Sequence, residues 1–137
     1  MILQPLARAE FQSVVECSSF VDLLRWRARQ EPNRPAYTFL GEGEMEEANL
    51  TFAELDQRAR AIGACLQDSK AAGERALLLY PPGLDYVAAF SGCLYAGVIA
   101  VPAYPPRANR PMPRIHAILE DARASIILTT AHLLSDI

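Results

Sequence analysis

Apolar and polar positions fall into blocks along this chain, and the blocks have the lengths of helices and strands. The most ordered run is RALLLYPPGLDYVAAFSGCLYAGVIAVPAYPP, from Arg75 to Pro106. Leu77, Leu78 and Leu79 form an apolar run of strand length. Pro81, Pro82 and Gly83 stop it, because proline lacks a donor and glycine permits a sharp turn. A helix is expected from about Leu84 to Ala96. Asp85 stands in its first turn, where a negative charge suits the helix dipole. Ala88, Ala89, Ser91, Gly92, Cys93 and Ala96 are small enough to let neighbouring backbones approach, so this helix is expected to be buried. Gly97 is placed to close it. Val98 to Val101 supplies a second strand, which Pro102 is expected to end. Strand, helix and strand at this spacing predict a parallel pair with a right-handed crossover.

The flanking segments carry weaker periods. Residues 1–18 have none and read as a loosely ordered lead. Ser19 is placed to cap a helix from about Phe20 to Gln30. Phe20, Leu23, Leu24 and Arg27 recur at helical spacing in it, and Trp26 lies partly off that face. Pro32 and Pro35 end it. Ala36 to Leu40 reads as a strand, the acidic Gly41 to Asn49 as a hairpin loop, and Leu50 as the centre of a short returning strand. Thr51 and Glu54 have capping-box spacing and open a helix to about Ser69. Its apolar stripe is Leu55, Ala59, Ile62 and Leu66, with Asp56, Arg58, Arg60 and Gln67 on the remaining positions. Ala71 to Glu74 turns into the central run. Beyond it, Ala103 to Pro113 is a stiff proline-rich loop. A helix follows from Pro113 to about Arg123, with Ile115, Ile118 and Leu119 facing inward. Ser125 to Thr130 is a further strand, and Ala131 starts another helix. The order is α/β: a partial, partly parallel sheet with flanking helices. Three core strands leave a sheet edge uncovered.

Composition narrows the function classes. At 137 residues, with 51% hydrophobic and 21% charged residues, the chain is one domain or a piece of one and can bury a core. A net charge of -3 argues against general electrostatic affinity for nucleic acid. Tyr86 to Pro106 holds no charge, but Gly97, Pro102, Pro105 and Pro106 interrupt it, so a buried helix and strand are expected rather than a membrane span. The N-terminus lacks a basic start followed by a long apolar run, and a cytoplasmic setting is the expectation. Cys17, Cys65 and Cys93 lack metal-ligand spacing. Cys65 and Cys93 fall in apolar helices and are expected to be small buried hydrophobes.

Residue types alone reveal no active site. His116 and His132 stand apart, and no nucleophile–base grouping is visible. YPPG at Tyr80 to Gly83 lies between strand and helix, where phosphate loops lie. It has one glycine, and its two prolines remove two donors, so it reads as a structural turn. GEGE at Gly41 to Glu44 is surrounded by carboxylates that repel phosphate. Arg107, Arg110 and Arg114 cluster after the proline loop, either as a solvated basic edge or within reach of an anion. Tyr80, Tyr86, Tyr95 and Tyr104 flank the central unit, with core packing favoured over a substrate crevice.

Several segments in order carry a family resemblance. FVDLLRWRARQEPNRPAYTFL, LTFAELDQRARAIGACLQ and the run from Arg75 to Arg107 resemble the front of a fatty acyl-AMP ligase, a branch of the adenylate-forming enzymes. LYAGVIAVP, Leu94 to Pro102, is similar to the L-x-A-G-x-x-x-V-P pattern of related synthetases. YPPGLDYVAAF and AVPAYPPR point to the fatty acyl-AMP branch. The resemblance implies that residues 19–137 are an incomplete N-terminal subdomain of such an enzyme. It implies, for the whole enzyme, ATP and Mg²⁺ as cofactors and a fatty acid as substrate. The acyl-adenylate would form with release of pyrophosphate, and the acyl group would pass to an acyl carrier protein. The family's Ser/Thr/Gly-rich loop and its C-terminal lysine have no counterpart here, where the only lysine is Lys70. No catalytic, cofactor-binding or metal residue is therefore assigned. Tyr104 and Arg107 are the substrate-binding candidates. The expectation is a scaffold piece, inactive alone, whose partner is the remainder of the enzyme. The alternative is a self-association module that pairs through its open sheet edge. A small independent nucleotide-binding domain would need a glycine-rich loop that is missing.

Overall fold

The structure is a computed structural model, and it describes residues 17–41, 46–105 and 113–134. Most of the lead, Arg107 and Arg110 lie outside the described residues. Helix α1, Phe20–Gln30, starts where the Ser19 side chain accepts a hydrogen bond from the Asp22 backbone N–H at 3.1 Å. Leu24 is buried, but Phe20, expected on the same stripe, is 47% exposed. Strand β1, Pro35–Leu40, pairs antiparallel with β2, Glu46–Thr51. The returning strand thus takes residues 46–49, which the acidic, glycine-containing pattern predicts as hairpin loop. Cross-strand pairing outweighs the poor strand propensity of Glu, Asn and Ala there.

The Thr51 capping box forms in both directions. The Glu54 backbone N–H donates to Thr51 Oγ1, and the Thr51 backbone N–H donates to the Glu54 carboxylate at 2.9 Å. It opens α2, Phe52–Asp68, which buries Leu55, Ala59 and Leu66 as the stripe predicts. Three parallel strands follow: β3, Arg75–Leu79; β4, Ile99–Ala103; and β5, Ile126–Thr129. Helices α3, Leu84–Ala96, and α4, Pro113–Ala122, make the crossovers, and a single turn, α5, Ala131–Leu134, follows β5. The sheet order is β4-β3-β5, with Leu78 level with Pro102 and Leu128. Pro102 lies inside β4 rather than ending it. The strand is at the edge of the sheet, where a missing N–H can face away from the ladder.

The first crossover runs from β3 out to β4 and the second runs back from β4 past β3 to β5, so right-handed connections put α3 and α4 on opposite faces. Side chains of β3 alternate between those faces. Ala76 and Leu78 pack with Leu66, Ala89, Cys93 and Ala96 in one core cluster. Leu77 and Leu79, on the other face, are equally inaccessible. A second cluster joins Leu24, Leu50, Leu55 and Ala88 beneath α1 and the hairpin. Helices α2 and α3 touch backbone to backbone: a Cβ added at Gly92 would lie 2.7 Å from Ile62 Cβ. Gly97 ends α3 in the left-handed region at φ 70°, as its placement predicts.

Two other expectations change. Asp56, assigned to the polar side of α2, is only 9% exposed. It is held by the Tyr95 hydroxyl at 2.5 Å and Arg60 Nε at 2.7 Å. Cys93 is buried, but Cys65 is exposed, since it precedes Leu66 by one residue and so lies about 100° around the helix from it.

Candidate functional site

Ligands of parallel α/β sheets bind at the carboxyl ends of the strands, where loops supply backbone groups and helix N-termini. A cavity with a volume of about 660 Å³ opens there. Its floor is the Tyr80–Gly83 turn after β3 and the first turn of α3. Pro102, Ala103 and Tyr104 at the end of β4 form one wall, and residues 37–39 of β1 form another. Arg114 and Ile118 of α4 complete the rim. The lining is aromatic and aliphatic apart from the Thr38 hydroxyl, the phenols and Arg114. Among the described residues Arg114 has no carboxylate partner.

A second cavity, about 490 Å³, lies between the ends of β3 and β5. Arg58, Asp85, Thr129, Thr130 and His132 give it a polar lining. Arg58 Nη1 reaches Asp85 Oδ1 at 3.3 Å, so its charge is already faced by a carboxylate. Thr129 Oγ1 donates to the Leu79 carbonyl at 2.9 Å and ties β5 to the end of β3. Tyr80 lines both cavities. Burial, and then the Asp85 carboxylate, hold its hydroxyl above the ordinary phenol pKa, so it stays a neutral hydrogen-bond donor.

The sequence candidates separate in space. Tyr104 stands at the mouth of the larger cavity and is 76% exposed. Arg107 lies outside the described residues. Arg114, grouped in sequence with Arg107 and Arg110, lines that cavity. Of the four tyrosines read as core packing, Tyr80, Tyr86 and Tyr104 line the cavity. Tyr80 and Tyr86 also pack against the core cluster beneath α3, as expected, and Tyr95 is tied to Asp56, where burial and that bond raise its pKa. The sequence reading missed Tyr37 and Phe39. Their i, i+2 spacing on a strand was the available signal, since it puts both on one face. The YPPG segment is a turn, as read, and it also paves the cavity. Among the described residues no three His, Cys, Asp or Glu side chains are grouped to hold a metal. No helix there is long and apolar enough to cross a membrane.

Comparison with known proteins places the chain among relatives. A family model described as AMP-binding enzyme matches residues 24–137. The chain is 53% identical over 117 residues to the medium-chain-fatty-acid--[acyl-carrier-protein] ligase JamA of Moorena producens, covering 83% of this chain and 20% of that protein. It is 39% identical over 125 residues to a 4-hydroxyphenylalkanoate adenylyltransferase of Mycobacterium marinum, covering 88% of this chain and 20% of the relative. The crystal structure of a fatty acyl-adenylate ligase from L. pneumophila, in complex with acyl adenylate and pyrophosphate, matches with a TM-score of 0.83 at 42% identity. That match covers 90% of this chain and 22% of the ligase. The chain therefore spans about a fifth of the length of these relatives.

Proposed function

The chain belongs to the AMP-binding enzyme family, and on that premise we propose that it is the framework portion of a fatty acid-activating ligase. One observation carries the reading: the fold coincides with the front of a fatty acyl-adenylate ligase at 42% identity and a TM-score of 0.83. In the whole protein a fatty acid carboxylate oxygen bonds to the α-phosphorus of ATP. The bond to the leaving pyrophosphate breaks, and acyl-adenylate forms. The protein's part in such a step is to align the reactants and to neutralise phosphate charge.

ATP and Mg²⁺ do not fit the described residues. Pro81 and Pro82 bring no backbone N–H to the turn before α3, and Arg58 at the second cavity already faces Asp85. No step is therefore assigned to this chain's side chains, and we propose that the 137 residues do not form acyl-adenylate alone. In the whole protein the acyl group passes to the phosphopantetheine arm of an acyl carrier protein, a proposal supported by the name of the JamA relative. We propose a cytoplasmic setting, where ATP is supplied.

Two measurements test this. The purified chain with ATP, Mg²⁺ and dodecanoate should release no pyrophosphate, and sustained release would overturn the inactivity. A chimera in which residues 19–134 replace the matching segment of the L. pneumophila ligase should still form acyl-adenylate. A folded but inactive chimera would sink the framework reading.

A further inference from the structure

Thr129 closes β5, and its side chain reaches back across the sheet. Its Oγ1 donates to the Leu79 carbonyl at 2.9 Å. Leu79 is the last residue of β3, lies level with Thr129 in the parallel ladder, and is completely inaccessible. The donor is itself anchored. The next carbonyl, Thr130, accepts the Leu133 and Leu134 backbone N–H groups at 3.1 and 3.2 Å, which fixes the start of α5.

The Leu79 carbonyl leads directly into Tyr80–Gly83, the turn that paves one cavity and, through Tyr80, lines the other. That turn has few ties of its own. Pro81 and Pro82 fix φ but bring no N–H. Among the described residues, none of the backbone hydrogen bonds of turns and loops involves residues 80–83. A peptide unit is planar, so holding the Leu79 carbonyl also holds the Tyr80 N–H and the direction in which Tyr80 leaves the strand. Asp85 and Cys93 on α3, Arg58 on α2 and His132 on α5 are the titratable groups arranged around Tyr80.

We propose that Thr129 is a positioning residue: by holding the Leu79 carbonyl, its hydroxyl sets the Tyr80–Gly83 turn and the Tyr80 phenol for the reaction of the whole enzyme. The inference rests on the framework reading and deepens it, since it names the side chain through which this framework acts on the site.

Thr129→Val keeps the shape and the strand preference and removes the donor. Thr129→Ser keeps the donor. In the full 137-residue chain, carbon-13 resonances of the tyrosine rings, with Tyr80 assigned by its loss in Tyr80→Phe, report the phenol directly. Thr129→Val should let water reach Tyr80, and its titration should move down towards the ordinary phenol range. Thr129→Ser should titrate as wild type. In the chimera with the L. pneumophila ligase, Thr129→Val should lower kcat for acyl-adenylate about tenfold through misplacement of the turn. The KM for ATP should stay within about twofold, and Thr129→Ser should restore kcat.

A Tyr80 titration unmoved by Thr129→Val would overturn the proposal. So would a Thr129→Ser variant as impaired as Thr129→Val, because the methyl and not the hydroxyl would then matter. A chimera that loses activity only where its urea midpoint shows it unfolding would also overturn it, leaving Thr129 a purely structural role. The two readings fail separately. An active wild-type chimera with an unmoved Tyr80 removes only the positioning role. A dead, folded wild-type chimera removes the framework reading, while the Tyr80 titration in the chain still decides whether Thr129 sets the turn.

Discussion

The seam between α2 and α3 and the carboxyl-end edge of the sheet are built from opposite kinds of residue. At the seam, Ala59, Gly63, Ala88, Gly92 and Ala96 bring two helices so close that a single added carbon would collide with Ile62. At the sheet edge, Tyr37, Phe39, Tyr86 and Tyr104 stand around a hollow that they do not fill. Small residues exclude space and fix one geometry. Large residues on loops and edge strands leave space for something else. The contrast teaches that rigidity is invested beneath β3, so that the turn above it can present a fixed cavity.

The sharpest way to break the contrast is to remove apolar volume from each side. Leu78 is completely inaccessible, and Leu78→Ala should cost about 3 kcal/mol in urea unfolding of the full chain. Ile118, half-buried on the cavity rim, should cost about 1 kcal/mol when changed to Ala. Equal losses would mean that the cavity wall is as tightly packed as the core cluster around β3.

Gly92→Ala tests the seam itself. Helix propensity alone predicts a gain of about 0.5–1 kcal/mol. The new methyl would instead meet Ile62 at its Cβ, beside the backbone, where no rotamer change relieves the clash. Overpacking should win, with a net loss of about 2 kcal/mol. A stabilised variant would show that the helices are free to separate.

Tyr95 joins the seam to the buried carboxylate of Asp56, and Tyr95→Phe should cost about 1 kcal/mol at neutral pH. Its pH dependence carries more information. Burial first, and then the bond to Asp56, raise the folded pKa above the ordinary phenol value of 10.0. Below pH 10 both folded and unfolded chains keep the proton, and the contribution is fully present. Above it the unfolded chain gives up the proton first, so stability falls as pH rises. Cys93 behaves in the same sense. Burial pushes its thiol from 9.0 up to about 11, so its share is lost as pH rises from about 9 to 11. The wild-type chain should lose stability steadily from pH 9 upwards, and Tyr95→Phe should flatten the part above pH 10. An unchanged slope would show that the phenol is not held in its neutral form.

What could be read in the residues divides along the same line. The capping box, the Leu55-to-Leu66 stripe, the Leu77–Leu79 run and the Gly97 stop are local signals, and each formed the element it predicts. Together they also carried the family resemblance that the match to AMP-binding enzymes bears out. The burial of Asp56 depends on Tyr95, 39 positions away, and no local period reports it. Pro102 reads as a strand end until the sheet order puts β4 at an edge. The cavity needs β1 beside the turn after β3, a contact across more than 40 residues. The sequence showed its tyrosines without showing that they meet.

Tyr104 supplies the smallest effect and the cleanest check on the division. It follows β4 directly, is 76% exposed, and touches the cavity rather than either core cluster. An exposed side chain away from caps, cores and networks is worth little to folding, so Tyr104→Ala should move stability by no more than about 0.5 kcal/mol. The same change removes one aromatic wall from the mouth of the hollow. If that wall serves a ligand, kcat/KM of the chimera should fall about threefold while the urea midpoint stays in place. If Tyr104 belongs instead to the packing of the sheet edge, the midpoint should fall and activity should follow only as far as folding does. The two measurements move together in one case and separate in the other. That separation is what distinguishes a residue kept for a site from one kept for the fold.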